Sequence, residues 1–149
     1  MRPAIRPATV DDLPAVVALD KVCFGAEAWS TVSWTTEFDR LSDDRAILVA
    51  DEGDLVGYVV LLVPPVAPDV VELLRIAVAP AGRRTGIGGQ LTTAALARCA
   101  GRTVMLEVAE GNEAARGLYQ AFGFEEISRR RGYYAGGEDA VIMRWREDK

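Results

Sequence analysis

The stretch from Arg75 to Leu91, RIAVAPAGRRTGIGGQL, constrains the fold more than any other part of the chain. An apolar, strand-like run ends at Pro80, which cannot extend a central strand, and helical composition runs from Leu91 to Ala100, where Gly101 supplies a stop. Between them Gly86, Gly88 and Gly89 fall within four residues, one position past the basic pair Arg83–Arg84. A strand, a glycine-rich turn and a helix, followed by a second strand at TVMLEVAE, require a parallel crossover in one sheet. The same stretch puts a helix start, with its unpaired N–H groups and partial positive charge, at backbone that no Cβ obstructs. Such a turn suits a phosphate or pyrophosphate, and it also suits a tight turn that needs glycine for its own sake. Neither G-x-x-x-x-G-K-[ST] nor G-x-G-x-x-G is present.

The remaining elements surround this unit. IRPATVDDL reads as a short strand and a helix start, with Thr9 as N-cap and Asp11 and Asp12 in the first turn; the helix runs to about Cys23. A second, irregular helix begins at a Ser30 cap. AILVADEGDLVGYVVLLVPP is a hairpin turning at Glu52–Asp54, and VVELLRIAV is a further strand. NEAARGLYQAFG forms a helix capped by Asn112 and ended by Gly123, and FEEISRRRGYY and DAVIMRWRE close the chain as two strands. The sum is an α/β chain, a mixed seven-stranded sheet flanked by four helices, expected to be a single domain over 1–149.

Composition prunes the chemistry. The 149 residues include no histidine, so Ser-His-Asp and Cys-His nucleophile systems and imidazole zinc sites are excluded; acid and base roles fall to Asp, Glu, Tyr, Lys or Cys. A net charge of −5 argues against a nucleic-acid binder and favours a cationic partner. Cys23 and Cys99 lie far apart in helical patterns and read as buried free thiols; no metal is expected. No apolar run is long enough to span a bilayer, and the amino terminus lacks a secretory signal's apolar block, so a cytoplasmic protein with no membrane contact is expected.

RIAVAPAGRRTGIGGQL resembles the acetyl-coenzyme A motif of the GNAT N-acetyltransferases, whose core [QR]-x-x-G-x-[GA] is matched by Arg83, Arg84, Thr85, Gly86, Ile87 and Gly88. LEVAEGNEAARGLYQAFGFEEISRRRGYY, followed by EDAVIM, is similar to the RimI-type ribosomal-protein alanine N-acetyltransferases, and the resemblance covers about residues 70 to 145. Farther toward the amino terminus it rests on element order and on AWS, Ala28 to Ser30, where the family pattern has proline before tryptophan.

The resemblance implies the GNAT (acyl-CoA N-acyltransferase) fold and acetyl-CoA as co-substrate. It implies pantetheine contacts from the main chain of Ile76, Ala77 and Val78 and from Asn112, and a pyrophosphate loop over Arg83–Gly89, with Gly89 following the core motif. It implies Glu107 as general base and Tyr119 as the acid that protonates the departing thiolate. Alternation in VMLEVAE sets Val104, Leu106 and Val108 on one face and Met105 and Glu107 on the other, and a carboxylate on a sheet face must be solvated or used. Arg129–Arg131 with Tyr133 and Tyr134 reads as a border of the acceptor groove, or as a cation–aromatic patch for nucleic acid. The expected acceptor is the N-terminal amine, an alanine, of a small-subunit ribosomal protein. The alternatives are a lysine or a small amine such as a polyamine or antibiotic, and a non-catalytic acyl-CoA sensor.

Overall fold

The computed structural model describes residues 3–66, 69–82 and 85–147. Its strands are β1 (Ala4–Pro7), β2 (Arg45–Asp51), β3 (Leu55–Leu62), β4 (Val70–Val78), β5 (Thr103–Ala109), β6 (Glu125–Arg130) and β7 (Ala140–Arg146). Its α-helices are α1 (Leu13–Phe24), α2 (Thr31–Asp39), α3 (Ile87–Ala97) and α4 (Glu113–Ala121). The sheet order is β1-β2-β3-β4-β5-β7-β6; every neighbouring pair is antiparallel except β4 and β5, which the α3 crossover joins in parallel. Among the described residues no helix is long and apolar enough to cross a membrane.

Strand alternation divides the interior into two cores. Ile47 and Val49 of β2 face α1 and α2, where Val16, Trp34 and Phe38 cover them. Leu48 and Ala50 face the other side, where Leu91 and Ala95 of α3 and Tyr119 of α4 pack. At about 25 cal/mol per Å² of apolar surface, each fully buried Val or Leu contributes roughly 1.5–3 kcal/mol.

The helix boundaries follow from their caps. Ser30 accepts from the Ser33 N–H at 3.0 Å and starts α2, and Asn112 accepts from the Ala115 N–H at 3.2 Å and starts α4. Thr9 caps a 3-10 turn, Val10–Asp12, that leads into α1 at Leu13. The α3 helix differs from the sequence expectation of Leu91 to Ala100. It begins at Ile87, because Gly86 adopts a left-handed backbone (φ 89°) and so serves as the cap. It ends at Ala97, so Cys99 lies just beyond it, although it is buried as expected. Cys23 is only half-buried, and its thiol donates to the Val78 carbonyl at 3.4 Å.

The sheet opens at its centre. In the β3–β4 ladder Val60 pairs with Arg75 and Leu61 with Leu73, so Leu74 is an extra residue, a bulge that bends β4. On its other edge β4 pairs with β5 only through Val70–Thr103, Val71–Val104 and Glu72–Met105, although both strands continue well past that point. The two parallel strands therefore diverge toward their C-terminal ends.

Candidate active site

A cavity of about 690 Å³ opens where β4 leaves its partner. It is lined by Ile76, Ala77 and Val78 of β4, by Gly86, Gly88 and Gly89 at the start of α3, and by Asn112, Ala115 and Leu118 along α4. Cys23 and Phe24 at the end of α1 complete the wall. Seven of the expected cofactor residues thus meet around one space. Thr85 and Ile87 line a smaller neighbouring pocket of about 400 Å³, and the Thr85 hydroxyl donates to the Gly82 carbonyl to close the turn. Arg83 and Arg84 lie outside the described residues.

The glycines serve different ends. Gly86 is required by its positive φ. A Cβ on Gly89 would rest against the Phe122 ring at 3.6 Å, a contact inside the fold. A Cβ on Gly88 would stand 3.5 Å from Leu118 and 3.8 Å from Val78, two residues that line the cavity, so protein contacts alone would tolerate it and the space it would take belongs to the cavity. The first-turn N–H groups of α3 have no partner within the helix, and the dipole adds positive character beside that space. These features fit a phosphate-bearing co-substrate with an extended arm lying along β4.

A second groove, of about 650 Å³, is lined by Glu72 to Arg75 of β4, by Met105 and Glu107 of β5, and by Trp29, Arg130, Tyr133 and Tyr134. Glu107 stands on the exposed face of β5, as the alternation predicts, while Val104, Leu106 and Val108 are buried on the other. Its carboxylate is 3.4 Å from the Arg130 guanidinium. Burial pushes the Tyr134 phenol up, and the negative charge of Glu107 adds to the effect.

Tyr119 lies elsewhere. It is 5% exposed, packed in the α3–α4 core with its ring 5.5 Å from Phe124, and it follows Leu118 of the cavity wall rather than lining the cavity itself. Burial holds its phenol well above the usual range, so it is protonated at neutral pH.

One buried network was not anticipated from sequence. Asp20 of α1 is fully buried and accepts from Arg75 Nε at 2.8 Å, the Trp29 N–H at 2.7 Å, the Trp34 indole at 3.1 Å and the Tyr58 hydroxyl. Burial works against its charge, but these donors outweigh it and hold the carboxyl below its ordinary range. Arg75 in turn lies over Phe24 (3.6 Å to the ring centre) and Trp29 (4.7 Å) and donates to the Glu27 carbonyl at 3.0 Å. The segment between α1 and α2, which gives Phe24 to one cavity and Trp29 to the other, is thereby tied to β4. The partners are up to 55 positions apart, so only an acidic residue on an otherwise apolar helix face hinted at them.

Residues 13–124 match the model of the Acetyltransferase (GNAT) family. A putative ribosomal protein bS18-alanine N-acetyltransferase of Bacillus subtilis is 28% identical over 144 residues, covering 94% of this chain and 93% of the relative. The N-alpha-acetyltransferase RimI of Mycobacterium tuberculosis is 39% identical over 94 residues, 62% of this chain and 60% of its own length. The crystal structure of the ribosomal-protein-S18-alanine N-acetyltransferase from Escherichia coli superposes with a TM-score of 0.85 at 28% identity, over 97% of this chain and 92% of that one. Since the family match runs from α1 through α4 and so takes in every element that walls the larger cavity, the chain belongs to the GNAT acetyltransferases and is an acetyl-CoA-dependent N-acetyltransferase.

Proposed function

We propose that the chain acetylates the α-amino group of a protein N-terminus, with the N-terminal alanine of a small-subunit ribosomal protein, bS18 by name of its relatives, as the favoured acceptor. The observation that carries this reading is the placement of Glu107. It stands in a groove of its own on the strand that parts from β4, beside the cavity suited to the co-substrate.

Acetyl-CoA, when bound, supplies an acetyl thioester. The chain's residues do the rest. The first-turn N–H groups of α3 receive the phosphates, with Gly88 leaving the space beside them open, and the β4 main chain from Ile76 to Val78, with Asn112, directs the arm toward the groove. Glu107 takes a proton from the incoming ammonium. The neutral amine then forms the new C–N bond as the C–S bond breaks, and the departing sulfur is protonated, a role that the resemblance gives to the Tyr119 phenol, which stands just behind Leu118 of the cavity wall. The Asn112 carbonyl oxygen is committed to its cap, so its amide nitrogen is the end offered to a ligand.

The acceptor preference has an energetic basis. An α-amine, with a reference pKa of about 7.7–8.0, is about 3.5 kcal/mol easier to deprotonate at neutral pH than a lysine at about 10.4. A single carboxylate base is more adequate for the former. Mass spectrometry of a basic peptide with a free N-terminal alanine, incubated with acetyl-CoA, is expected to show one acetyl at the α-amine, and capping that amine is expected to abolish the reaction while lysines remain. Equal modification of the capped peptide at lysine would overturn the N-terminal assignment.

A further inference from the structure

The strand order β5-β7-β6 brings a cation to the base. Glu107 pairs with Ile142 across β5 and β7, Ile142 pairs with Ser128 across β7 and β6, and Arg130 stands two residues beyond Ser128 on the same face. Its guanidinium reaches back to 3.4 Å from the Glu107 carboxylate and lies 5.4 Å from the centre of the Tyr133 ring. The neighbouring Arg129 is engaged with Glu126 at 2.7 Å and Glu110 at 2.9 Å. Among the described residues lining the acceptor groove, the only other cation is Arg75, which is bound to Asp20. Arg130 is therefore the cation that meets an acceptor at Glu107.

The contact engages one carboxylate oxygen of Glu107, Oε1, so an ammonium that pairs with this carboxylate does so beside the guanidinium or in its place. The side chains of the pair are 56% and 35% exposed, so water already screens it and separating it costs little. Arg130 belongs to β6 and lies beside Tyr133 in the same groove, so its positive charge stays near the reacting nitrogen. One ammonium is accepted because it pairs with Glu107; a second cation on the acceptor meets Arg130, and the other carboxylate lining the groove, Glu72, stands across it on β4.

We propose that Arg130 is a specificity-determining residue that rejects acceptors carrying a second positive charge beside the reacting amine, such as a polyamine or a peptide whose first residue is lysine or arginine. Acceptors with a neutral or acidic first side chain pass. The inference deepens the proposed function and rests on Glu107 as the group that receives the acceptor's ammonium.

The test uses the full chain, acetyl-CoA and peptides identical except for a first residue of methionine, glutamate or lysine, compared by kcat/KM for α-amine acetylation at low salt. The wild type is expected to favour methionine over lysine by about tenfold, the size of a like-charge contact in a partly screened groove. Arg130→Gln is expected to reduce that ratio several-fold, and Arg130→Lys to keep it. A methionine-to-lysine ratio unchanged in Arg130→Gln overturns the proposal. Glu107→Gln separates the two layers: if it retains wild-type kcat/KM, the base assignment falls and the proposal with it, whereas its loss of activity beside an unchanged ratio in Arg130→Gln removes the specificity role alone.

Discussion

Asp20 illustrates how a single buried carboxylate organises a site without touching it. Removing it in Asp20→Ala leaves Arg75, Trp34 and Tyr58 without their common acceptor, and loss of one side of a buried pair typically costs about 3–5 kcal/mol; chemical denaturation is expected to show a loss of that order. Its folded pKa is depressed, so its stabilisation is complete above the unfolded value, near 3.9, and disappears as pH falls below that through the folded value. The acid side of the stability profile is therefore expected to flatten in Asp20→Asn. Glu107→Gln is expected to lower kcat/KM about a hundredfold, and Tyr119→Phe to reduce kcat with acetyl-CoA affinity retained. Near-normal turnover in both would show that other groups move the protons. The face on which Glu107 stands was legible from strand alternation and the Asn112 cap from a local pattern, whereas the roles assigned to both came from the resemblance. Asp20 was not legible, since the donors that explain it come from helices and strands that only tertiary folding brings together.

The elements that matter most are β4 and the start of α3. Every strand and every helix was legible as an element, because periodicity and caps are local signals. The bulge at Leu74 was not, since it is a mismatch of register between two strands and neither carries it alone. The early start of α3 was missed for a related reason: glycine disfavours helix interior by about 1 kcal/mol, yet Gly88 and Gly89 are helical, with the Gly88 carbonyl held by the Thr92 hydroxyl at 2.8 Å. The different surroundings of the glycines give a prediction. Gly88→Val should lower acetyl-CoA affinity by at least about tenfold in calorimetric titration while the melting temperature changes little, because its side chain enters the cavity rather than the core. Unchanged affinity in the folded variant would remove the phosphate-loop assignment.

At the scale of the whole molecule, a net charge of −5 sets a field that draws basic peptides. Acetylation of such a peptide is expected to slow several-fold between about 20 and 300 mM salt, through KM more than kcat, as the Debye length contracts; a flat salt profile would show that steering plays no part. The three rungs between β4 and β5 carry a mechanical meaning as well. They are the only backbone ladder by which the four strands on one side hold the three on the other among the described residues. A seam that short is expected to yield before the longer ladders do, with the width of the cleft as the softest coordinate of the sheet. Whatever lodges across it acts as a splint: at a hundred times its dissociation constant, a ligand bound only by the folded form adds about 2.7 kcal/mol. Amide exchange is accordingly expected to slow most at Val70–Glu72 and Thr103–Met105 when acetyl-CoA is added, and less in β2 and β3, so that the enzyme is stiffest while it holds its acetyl donor and slackens each time CoA departs.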